Sequence, residues 1–332
     1  MPEDEPVRVG FRPPHSVFAA GPAELGGLLA RADALGIDQV CVGDHVSFHG
    51  GQGFDGLVQA TALAALAPRM AVHTAIYLLP LRHPVPVARQ VASLAELAPG
   101  RLVFGVGLGG EDRHEVEVCG IDPATRGRRM DESLSIVRRL LAGESVTYAG
   151  QFFQLRDARV APAPAPPVPI LVGGRSPRAA RRAGIHGDGW VGVWVTPERF
   201  AATTAEVEQA ADEAGRGEVH WQHELVAWCG FGTSREDARG DVETAMERLY
   251  RTPFARFERY TPYGTPEHVA EALLPYVAAG CRSINLIAQA AEPDEAVECV
   301  AAVRRLLQAT ATRSGQRRMQ RPPSSMSVAP VR

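Results

Sequence analysis

An aspartate–histidine pair is the first group in the sequence whose residue types could do chemistry. Asp44 and His45 follow the apolar run 39–43, which is typical of a buried strand. Histidine is the side chain best suited to proton transfer near neutral pH, and a neighbouring carboxylate can orient its ring. The plainer interpretation is a turn capped by Asp44 and a packed histidine, but a position at a strand end favours function. His45 is therefore a catalytic candidate, with Asp44 as its orienting partner.

Two glycine-rich segments would let a ligand approach the backbone. Residues 105–111 include four glycines, which leave room that a Cβ would fill; a tight turn is the alternative. Residues 173–176, with the sequence GGRS, stand directly before Pro177, which suits the first position of a helix. Free backbone amides, the helix N-terminus and Arg175 together predict an anion site there, with a simple helix cap as the alternative.

Three further side chains are candidates to line a substrate pocket, namely His15, His49 and Trp194. For each of them ordinary packing or surface exposure is the alternative. His45 and His49 have the i, i+4 spacing of a metal pair, but in a loop this spacing does not bring both side chains to one face. The first strand also lacks the H-x-H of barrel metallohydrolases. We therefore predict no metal site.

The composition excludes several classes of chemistry. All 35 basic residues are arginine, so Schiff-base aldolases, pyridoxal phosphate enzymes and Walker A nucleotide sites, which need a lysine, are excluded. The net charge is -3 without a basic block, which argues against nucleic acid as a partner. The five cysteines form no C-x-x-C pair, which predicts reduced thiols.

The sequence shows no targeting or membrane signal. It has no run of eighteen apolar residues, and residues 1–6 are acidic, without the basic region of a secretory signal. We expect a cytoplasmic protein with a small-molecule substrate and no membrane partner.

Apolar runs alternate with longer amphipathic runs, which predicts a parallel sheet with right-handed crossovers. The predicted strands are 7–11, 39–43, 70–79, 102–107, 168–172, 190–195, 225–231 and 283–288. The predicted helices are 24–35, 55–67, 84–97, 125–141, 177–184, 197–214, 234–250 and 294–307. Eight strands, and the lack of G-x-G-x-x-G before the first helix, favour a closed (β/α)8 TIM barrel over a doubly wound sheet.

The predicted domain organisation is one barrel over residues 1–311 with two insertions. Residues 144–169 combine a hairpin signal around Gly150 with an Ala-Pro connector, and residues 252–266 form a loop over one barrel mouth. Residues 312–332 are rich in Arg, Ser and Pro and are expected to be a disordered tail.

An ordered set of motifs from about residue 7 to 307 resembles the luciferase-like (LLM class) flavin-dependent oxidoreductases. The motifs are GID at 36–38, DH at 44–45, GRLVFGVG at 100–107, RGRRMDE at 126–132, PILVGGRS at 169–176 and GDGW at 187–190. The resemblance implies a barrel, usually dimeric, that binds reduced FMN or the deazaflavin F420.

The resemblance also implies which residues contact the cofactor. His45, with Asp44, would contact the ring, and a bulged third strand with a non-prolyl cis peptide would fall at Thr74-Ala75. The phosphate contacts would be Gly107, Leu108, Gly109, Gly173, Gly174, Arg175 and Ser176. Some F420-dependent dehydrogenases carry a tryptophan and a glutamate where this chain has His49 and Gly110 or Glu111, which argues against a sugar-phosphate dehydrogenase.

The short chain and the aspartate–histidine pair resemble the F420 branch. We therefore expect an oxidoreductase, a homodimer, that uses reduced F420 for hydride transfer to or from a small organic substrate, with secondary metabolism as one setting. An FMNH2-dependent monooxygenase that consumes oxygen is the alternative. A barrel hydrolase is the second alternative, with Glu111 and Glu224 as its carboxylate pair.

Overall fold

The structure, a computed structural model, describes residues 6–319, and the surroundings of side chains up to residue 310. Eight parallel strands close into a barrel because β9 pairs with both β8 and β11, and β11 pairs with β1. The barrel strands are β1 Arg8–Phe11, β2 Gln39–Val42, β3 Ala71–Tyr77, β4 Leu102–Val106, β7 Ile170–Gly173, β8 Gly189–Val193, β9 Glu224–Phe231 and β11 Ser283–Gln289. The remaining strands are β5 Val146–Ala149, β6 Gln154–Ala158 and β10 Tyr263–Gly264. The predicted (β/α)8 barrel is confirmed.

Helices connect consecutive barrel strands, as the amphipathic runs predicted. They are α1 His15–Ala20, α2 Pro22–Ala34, α3 Gly56–Leu66, α4 Pro84–Leu97, α5 Arg113–Val118, α6 Arg126–Leu141, α7 Pro177–His186, α8 Pro197–Glu213, α9 Arg235–Tyr250, α10 Pro266–Ala278 and α11 Pro293–Met319. The sequence did not predict α1, α5 and α10, because the first two span less than two turns and α10 contains a proline, Pro275. Within residues 6–319, no helix is both long and apolar enough to cross a bilayer.

The third strand is irregular where the sequence predicted a bulge. Its register against β4 shifts between Thr74 and Tyr77. The non-prolyl cis peptide is Ala75-Ile76, so the prediction of Thr74-Ala75 was wrong by one bond. No residue type in this strand indicates the position of the bulge, which explains the error.

The two insertions have different structures. Strands β5 and β6 form an antiparallel hairpin, and the Ala-Pro connector has two cis peptides before Pro162 and Pro166. Residues 252–266 form short 3₁₀ turns and β10. The last helix runs to Met319, so the expected tail boundary at Thr312 lies inside this helix, and residues 320–332 lie outside the described residues.

The barrel interior is polar at its N-terminal end. His73 Nδ1 lies 2.5 Å from Oε2 of Glu224, and Ser283 and Gln39 extend this buried network. Toward the C-terminal end the interior is apolar, with Val103, Leu171, Val191, Val226, Trp228 and Ile287 packed together. The candidate site is therefore expected at the C-terminal mouth, the end at which barrels of this kind place their active sites.

Candidate cofactor and active site

Two glycine-containing loops lie side by side at the barrel mouth. Strands β4 and β7 are neighbours, with Gly105 opposite Leu171 and Val106 opposite Val172. The loops after them therefore meet at one edge of the mouth. The structure thus brings together the two segments that the sequence assigned to a cofactor phosphate.

The side chain of Ile76, in the β3 bulge, forms an apolar floor beside these loops. A Cβ built on Gly107 would overlap Ile76 Cδ1, and one built on Gly173 would lie 3.2 Å from the same atom. Both glycines therefore leave the space that Ile76 fills. Ile76 was not assigned from the sequence, whereas Thr74, which was, is buried with its hydroxyl on the Gly105 carbonyl, and Ala75 is only half-buried.

The loops present free hydrogen-bond donors. The backbone amides of Leu108, Gly109, Gly174 and Arg175 donate to no residue that the structure describes. Ser176 caps α7 by accepting from the Ala179 amide at 3.2 Å, and Pro177 begins that helix. This arrangement of amides at a helix N-terminus suits a phosphate.

Arginines add full positive charge to this group of amides. Arg175 is exposed, with its guanidinium 5.5 Å over the Trp194 ring. Arg126 donates to the carbonyls of Gly109 at 3.2 Å and Pro123 at 2.9 Å. Arg126 was not predicted as a site residue, and the sequence analysis included it only in the RGRRMDE motif at 126–132. We call Leu108, Gly109, Gly174, Arg175, Ser176 and Arg126 the anion cradle.

His45 is held by a carboxylate that the sequence did not assign. Its Nδ1 lies 3.2 and 3.3 Å from the two oxygens of Glu115, which also accepts the backbone amides of Val46 at 2.7 Å and Ser47 at 3.2 Å. Burial alone would raise the pKa of Glu115, but the hydrogen bond and charge of His45, with the two amides, outweigh burial and lower it. The carboxylate is therefore ionised at neutral pH, which makes Nδ1 the donor and leaves Nε2 for proton exchange.

The sequence contained a weak signal for Glu115. Asp112 and Glu115 have the spacing of a helix capping box, which is a structural motif. In the structure Asp112 does cap α5, by accepting from the His114 amide at 2.9 Å. Glu115 instead reaches across to the loop after β2, and only the tertiary fold reveals this contact.

Asp44 does not orient His45, so this part of the prediction is corrected. Its carboxylate is buried and accepts from the Gly56 and Leu78 amides, both at 2.8 Å, and from both terminal nitrogens of Arg82 at 2.6 and 2.9 Å. Burial raises the pKa of Asp44 against the opposing effects of Arg82 and the amides. Asp44 therefore joins the start of α3 to the end of β3, beside the site.

The three substrate candidates lie around the mouth but in different surroundings. His49 accompanies His45 on either side of the Phe48 ring, at centroid distances of 4.1 and 4.0 Å. Trp194 follows β8 and packs against Phe257 at 4.7 Å. His15 is exposed at the start of α1, edge-on to a phenylalanine of the loop before α3.

The hydrolase alternative finds no support in the geometry. Glu224 is the first residue of β9 and is buried with His73 at the N-terminal end of the barrel. Glu111 is exposed after β4, at the opposite end. Within the described residues, no three His, Cys, Asp or Glu side chains form a group that could hold a metal ion.

The fold and the site define a barrel with an anion cradle, an apolar floor and a proton-transfer group at its C-terminal mouth, which suits a phosphate-bearing redox cofactor. The sequence matches the family model of the luciferase-like monooxygenases over residues 8–283. The chain belongs to this family. The predicted class, a flavin- or F420-dependent oxidoreductase, is thereby confirmed.

Individual relatives agree with this assignment. The chain is 31% identical over 245 residues, 71% of each protein, to the F420-dependent glucose-6-phosphate dehydrogenase of Nakamurella multipartita. It is 33% identical over 200 residues, 59% of this chain and 68% of the relative, to an uncharacterized protein of Mycobacterium tuberculosis.

Solved structures agree at the level of the fold. An F420-dependent secondary alcohol dehydrogenase in complex with an F420-acetone adduct superposes with a TM-score of 0.79 at 21% identity, covering 91% of this chain and 99% of the other. The monooxygenase RslO1 from Streptomyces bottropensis superposes with a TM-score of 0.74 at 24% identity, covering 93% and 99%. At these identities the likeness extends to the fold alone.

Proposed function

We propose that the chain is an F420-dependent oxidoreductase that transfers hydride to or from a small organic substrate. The observation that carries the proposal is the order of groups along the mouth. His45 follows β2, Ile76 belongs to β3, and the two loops of the anion cradle follow β4 and β7, which are consecutive in the sheet. The anion cradle would hold the phosphate of such a cofactor, and Ile76 and His45 would be the next residues along the mouth to meet the rest of it.

The residues present fit such a group. The amides of Leu108 and Gly109, with the N-terminus of α7, offer donors to a phosphate, and Arg126 and Arg175 offset its charge. Ile76 offers an apolar surface for a flat ring. When bound, F420 supplies a two-electron hydride carrier, whereas FMN would add reactivity with oxygen.

His45 is the residue that we propose to handle the proton. Its Nδ1 is held by Glu115, so Nε2 is the nitrogen that can take or give a proton at the substrate. A positioned acid or base of this kind typically contributes about 10²–10⁴-fold to a rate. Glu115 is a positioning residue, because it contacts His45 and the loop backbone.

The substrate side of the mouth is lined by His49 and Trp194, with His15 at its rim. His49 Nε2 and Trp194 Nε1 are buried and have no hydrogen-bond partner among the described residues. Both atoms are therefore available to a polar group of a ligand. Secondary metabolism is the setting that we propose for such a substrate, which we expect to differ from a sugar phosphate.

The FMN-dependent monooxygenase is the second candidate, and the match to the family model of the luciferase-like monooxygenases is the observation that favours it. Fluorescence titration of the purified chain with F420 and with FMN, followed by an oxygen-uptake assay, separates the two. We expect F420 to bind more tightly than FMN and no oxygen to be consumed. Tighter FMN binding together with oxygen uptake would overturn the F420-dependent function and favour the monooxygenase.

We further propose that the chain forms a homodimer. The family resemblance supports a dimer, and three exposed apolar side chains on and before α3 support it too: Val46, Phe54 and Val58, which are 45%, 39% and 70% exposed. Light scattering at micromolar concentration should give twice the monomer mass. Val58→Arg should reduce that mass, and an unchanged mass would place the interface elsewhere.

A further inference from the structure

Arg12 is a charged residue at the barrel mouth that the proposed function does not use. It follows β1, where its backbone amide donates to the Leu286 carbonyl at 3.0 Å. Gly10, two residues earlier and on the same side of the strand, contacts Asn285 inside the barrel. Since side chains two residues apart share a face, Arg12 points into the C-terminal mouth.

The guanidinium of Arg12 lies against the start of the loop that carries His45. A Cβ built on Gly43 would be 2.8 Å from Arg12 Nη2 and 3.1 Å from Nη1. Gly43 stands two residues before His45, so the cation lies at the start of the loop that carries the proposed proton-transfer group. Because residue 43 is a glycine and has no Cβ, the guanidinium has room at this position.

This half-buried cation has no partner among the described residues, since the Arg12 side chain makes no hydrogen bond or ion pair within residues 6–310. Two other half-buried arginines are paired with carboxylates: Arg82 with Asp44, and Arg304 with Asp38. Removing a charge from water without a partner is costly. An unpaired cation beside a reaction site therefore points to an anionic ligand.

The Tyr250 hydroxyl is a second donor at the same mouth. It accepts a hydrogen bond from Trp228 Nε1 at 3.1 Å, so its own proton remains free for another acceptor. Trp228 is opposite Ile287 in the sheet, next to the residue whose carbonyl accepts the Arg12 amide. Burial raises the pKa of Tyr250 to about 12, and the charge of nearby Arg12 opposes this rise. Tyr250 is thus protonated at neutral pH and, with Arg12, forms a pair of donors.

A single guanidinium and one hydroxyl favour a monoanion. A single guanidinium matches the two oxygens of a planar carboxylate, whereas a phosphate dianion calls for further cations. The chemistry therefore fits a carboxylate better than a phosphate.

The walls beside the donor pair are aromatic. The Trp194 ring lies 5.0 Å from the Tyr250 ring, and the Phe257 ring contacts both, at 4.7 Å from Trp194 and 5.5 Å from Tyr250. Flat apolar groups pack well on such a surface. A ligand whose anionic end meets Arg12 would place its apolar body on Trp194.

We propose that the substrate is a carboxylic acid with an apolar body, and that the Arg12 guanidinium and the Tyr250 hydroxyl bind its carboxylate. This inference rests on the proposed function, because it names the substrate class of the same site. The anchored carboxylate orients the rest of the substrate between Trp194 and His45. Arg12 and Tyr250 are thus residues that determine specificity.

The test is calorimetric titration of the full chain, saturated with F420, with benzoate, benzamide and phenyl phosphate. We expect benzoate to bind at least roughly tenfold more tightly than benzamide, since a charged hydrogen bond is worth about that factor. Arg12→Gln should weaken benzoate binding roughly 10- to 100-fold. The matched control is Arg248→Gln, at an exposed arginine of α9, which should leave it unchanged.

A second variant and a titration without F420 test the inference independently of Arg12→Gln. Tyr250→Phe keeps the ring and should weaken benzoate binding by a smaller factor, even if Arg12→Gln fails to fold. Equal binding of benzoate and benzamide, preference for phenyl phosphate, or unchanged benzoate binding in a folded Arg12→Gln would each overturn the inference. The benzoate titration is repeated without F420, so that a failure of F420 to bind overturns the proposed function alone.

Discussion

The side chain of Ile76 fills the space that a Cβ on Gly107 would occupy, although Ile76 belongs to β3 and Gly107 follows β4. The β3 bulge and the glycine after β4 are therefore two parts of one feature. Without the bulge, Ile76 would not reach the mouth, and without the glycine there would be no room for it. The resulting floor lies between His45 and the anion cradle.

Gly107→Ala should therefore disturb the floor. The added methyl group would push Ile76 aside, and such overpacking costs about 1–3 kcal/mol. We expect F420 affinity to fall by roughly tenfold while the chain remains folded. Fluorescence titration measures the affinity, and Gly217→Ala is the control, because a Cβ there meets nothing within 4 Å. Unchanged affinity would show that the floor does not support the cofactor.

The arginines of the anion cradle should contribute to cofactor binding. We expect Arg126→Gln and Arg175→Gln each to weaken F420 binding roughly tenfold, since hydrogen bonds to charged groups are worth about 1.5–3 kcal/mol. Arg178→Gln, at an exposed residue of α7, is the control. A substitution of Gly174 is a poorer test, because its φ of +135° and a Cβ contact with Ala179 at 2.7 Å would strain the fold itself. Wild-type affinity in both variants would show that the phosphate binds elsewhere.

Asp44→Asn should destabilise the fold, because Arg82 keeps only its more exposed partner Asp55, and the Gly56 and Leu78 amides lose a charged acceptor. Removing one partner of a buried ion pair costs about 3–5 kcal/mol. Urea unfolding measures the loss. Arg69→Gln, which breaks the pair of an exposed arginine with Asp33, should cost much less, because solvent screens such a pair. Equal losses in the two variants would contradict the structural role of Asp44.

Much of the barrel follows from sequence pattern. Alternating apolar runs and helix caps such as Asp55 and Ser176 predict the bounds of the β2–α3 and β7–α7 units accurately. The missed elements α1 and α5 are too short for a periodic pattern to appear. The cis peptide is displaced by one bond from the prediction because nothing in the residue types of β3 marks it.

Residues of the candidate site could be predicted from the sequence where they are neighbours in the chain. Residues that meet only through contacts distant in sequence could not. Gly173 to Ser176 form their loop from adjacent residues, so the segment could be found in the sequence. Glu115 and His45 are 70 residues apart, and Arg12 meets Gly43 from another strand. Asp44 precedes His45 directly, yet its carboxylate turns toward Arg82. Neighbours in sequence therefore suggested the wrong partner for the imidazole.

Glu115 should make stability depend on pH. Its pKa is lowered from an ordinary value of 4.5. A carboxyl with a lowered pKa in the folded state stabilises the fold above its ordinary pKa, and this stabilisation is lost as pH falls through the lowered value. The difference in unfolding free energy between wild type and Glu115→Gln should therefore be largest near neutral pH and shrink below about pH 4. A difference that grows with acidity would contradict the pairing.

Glu115→Gln should also change catalysis through His45. The amide cannot hold Nδ1–H as a carboxylate does, so the imidazole loses its fixed tautomer. We expect kcat to fall by roughly 10- to 100-fold, with F420 affinity kept because the Glu115 carboxylate bonds to the loop after β2 and to no residue of the anion cradle. A merely structural role would lower F420 affinity together with kcat, whereas positioning of His45 should lower kcat alone. Glu117→Gln, at an exposed residue of the same helix, is the control. His45→Ala should lower kcat at least as far, and wild-type kcat in both variants would remove the pair from proton transfer.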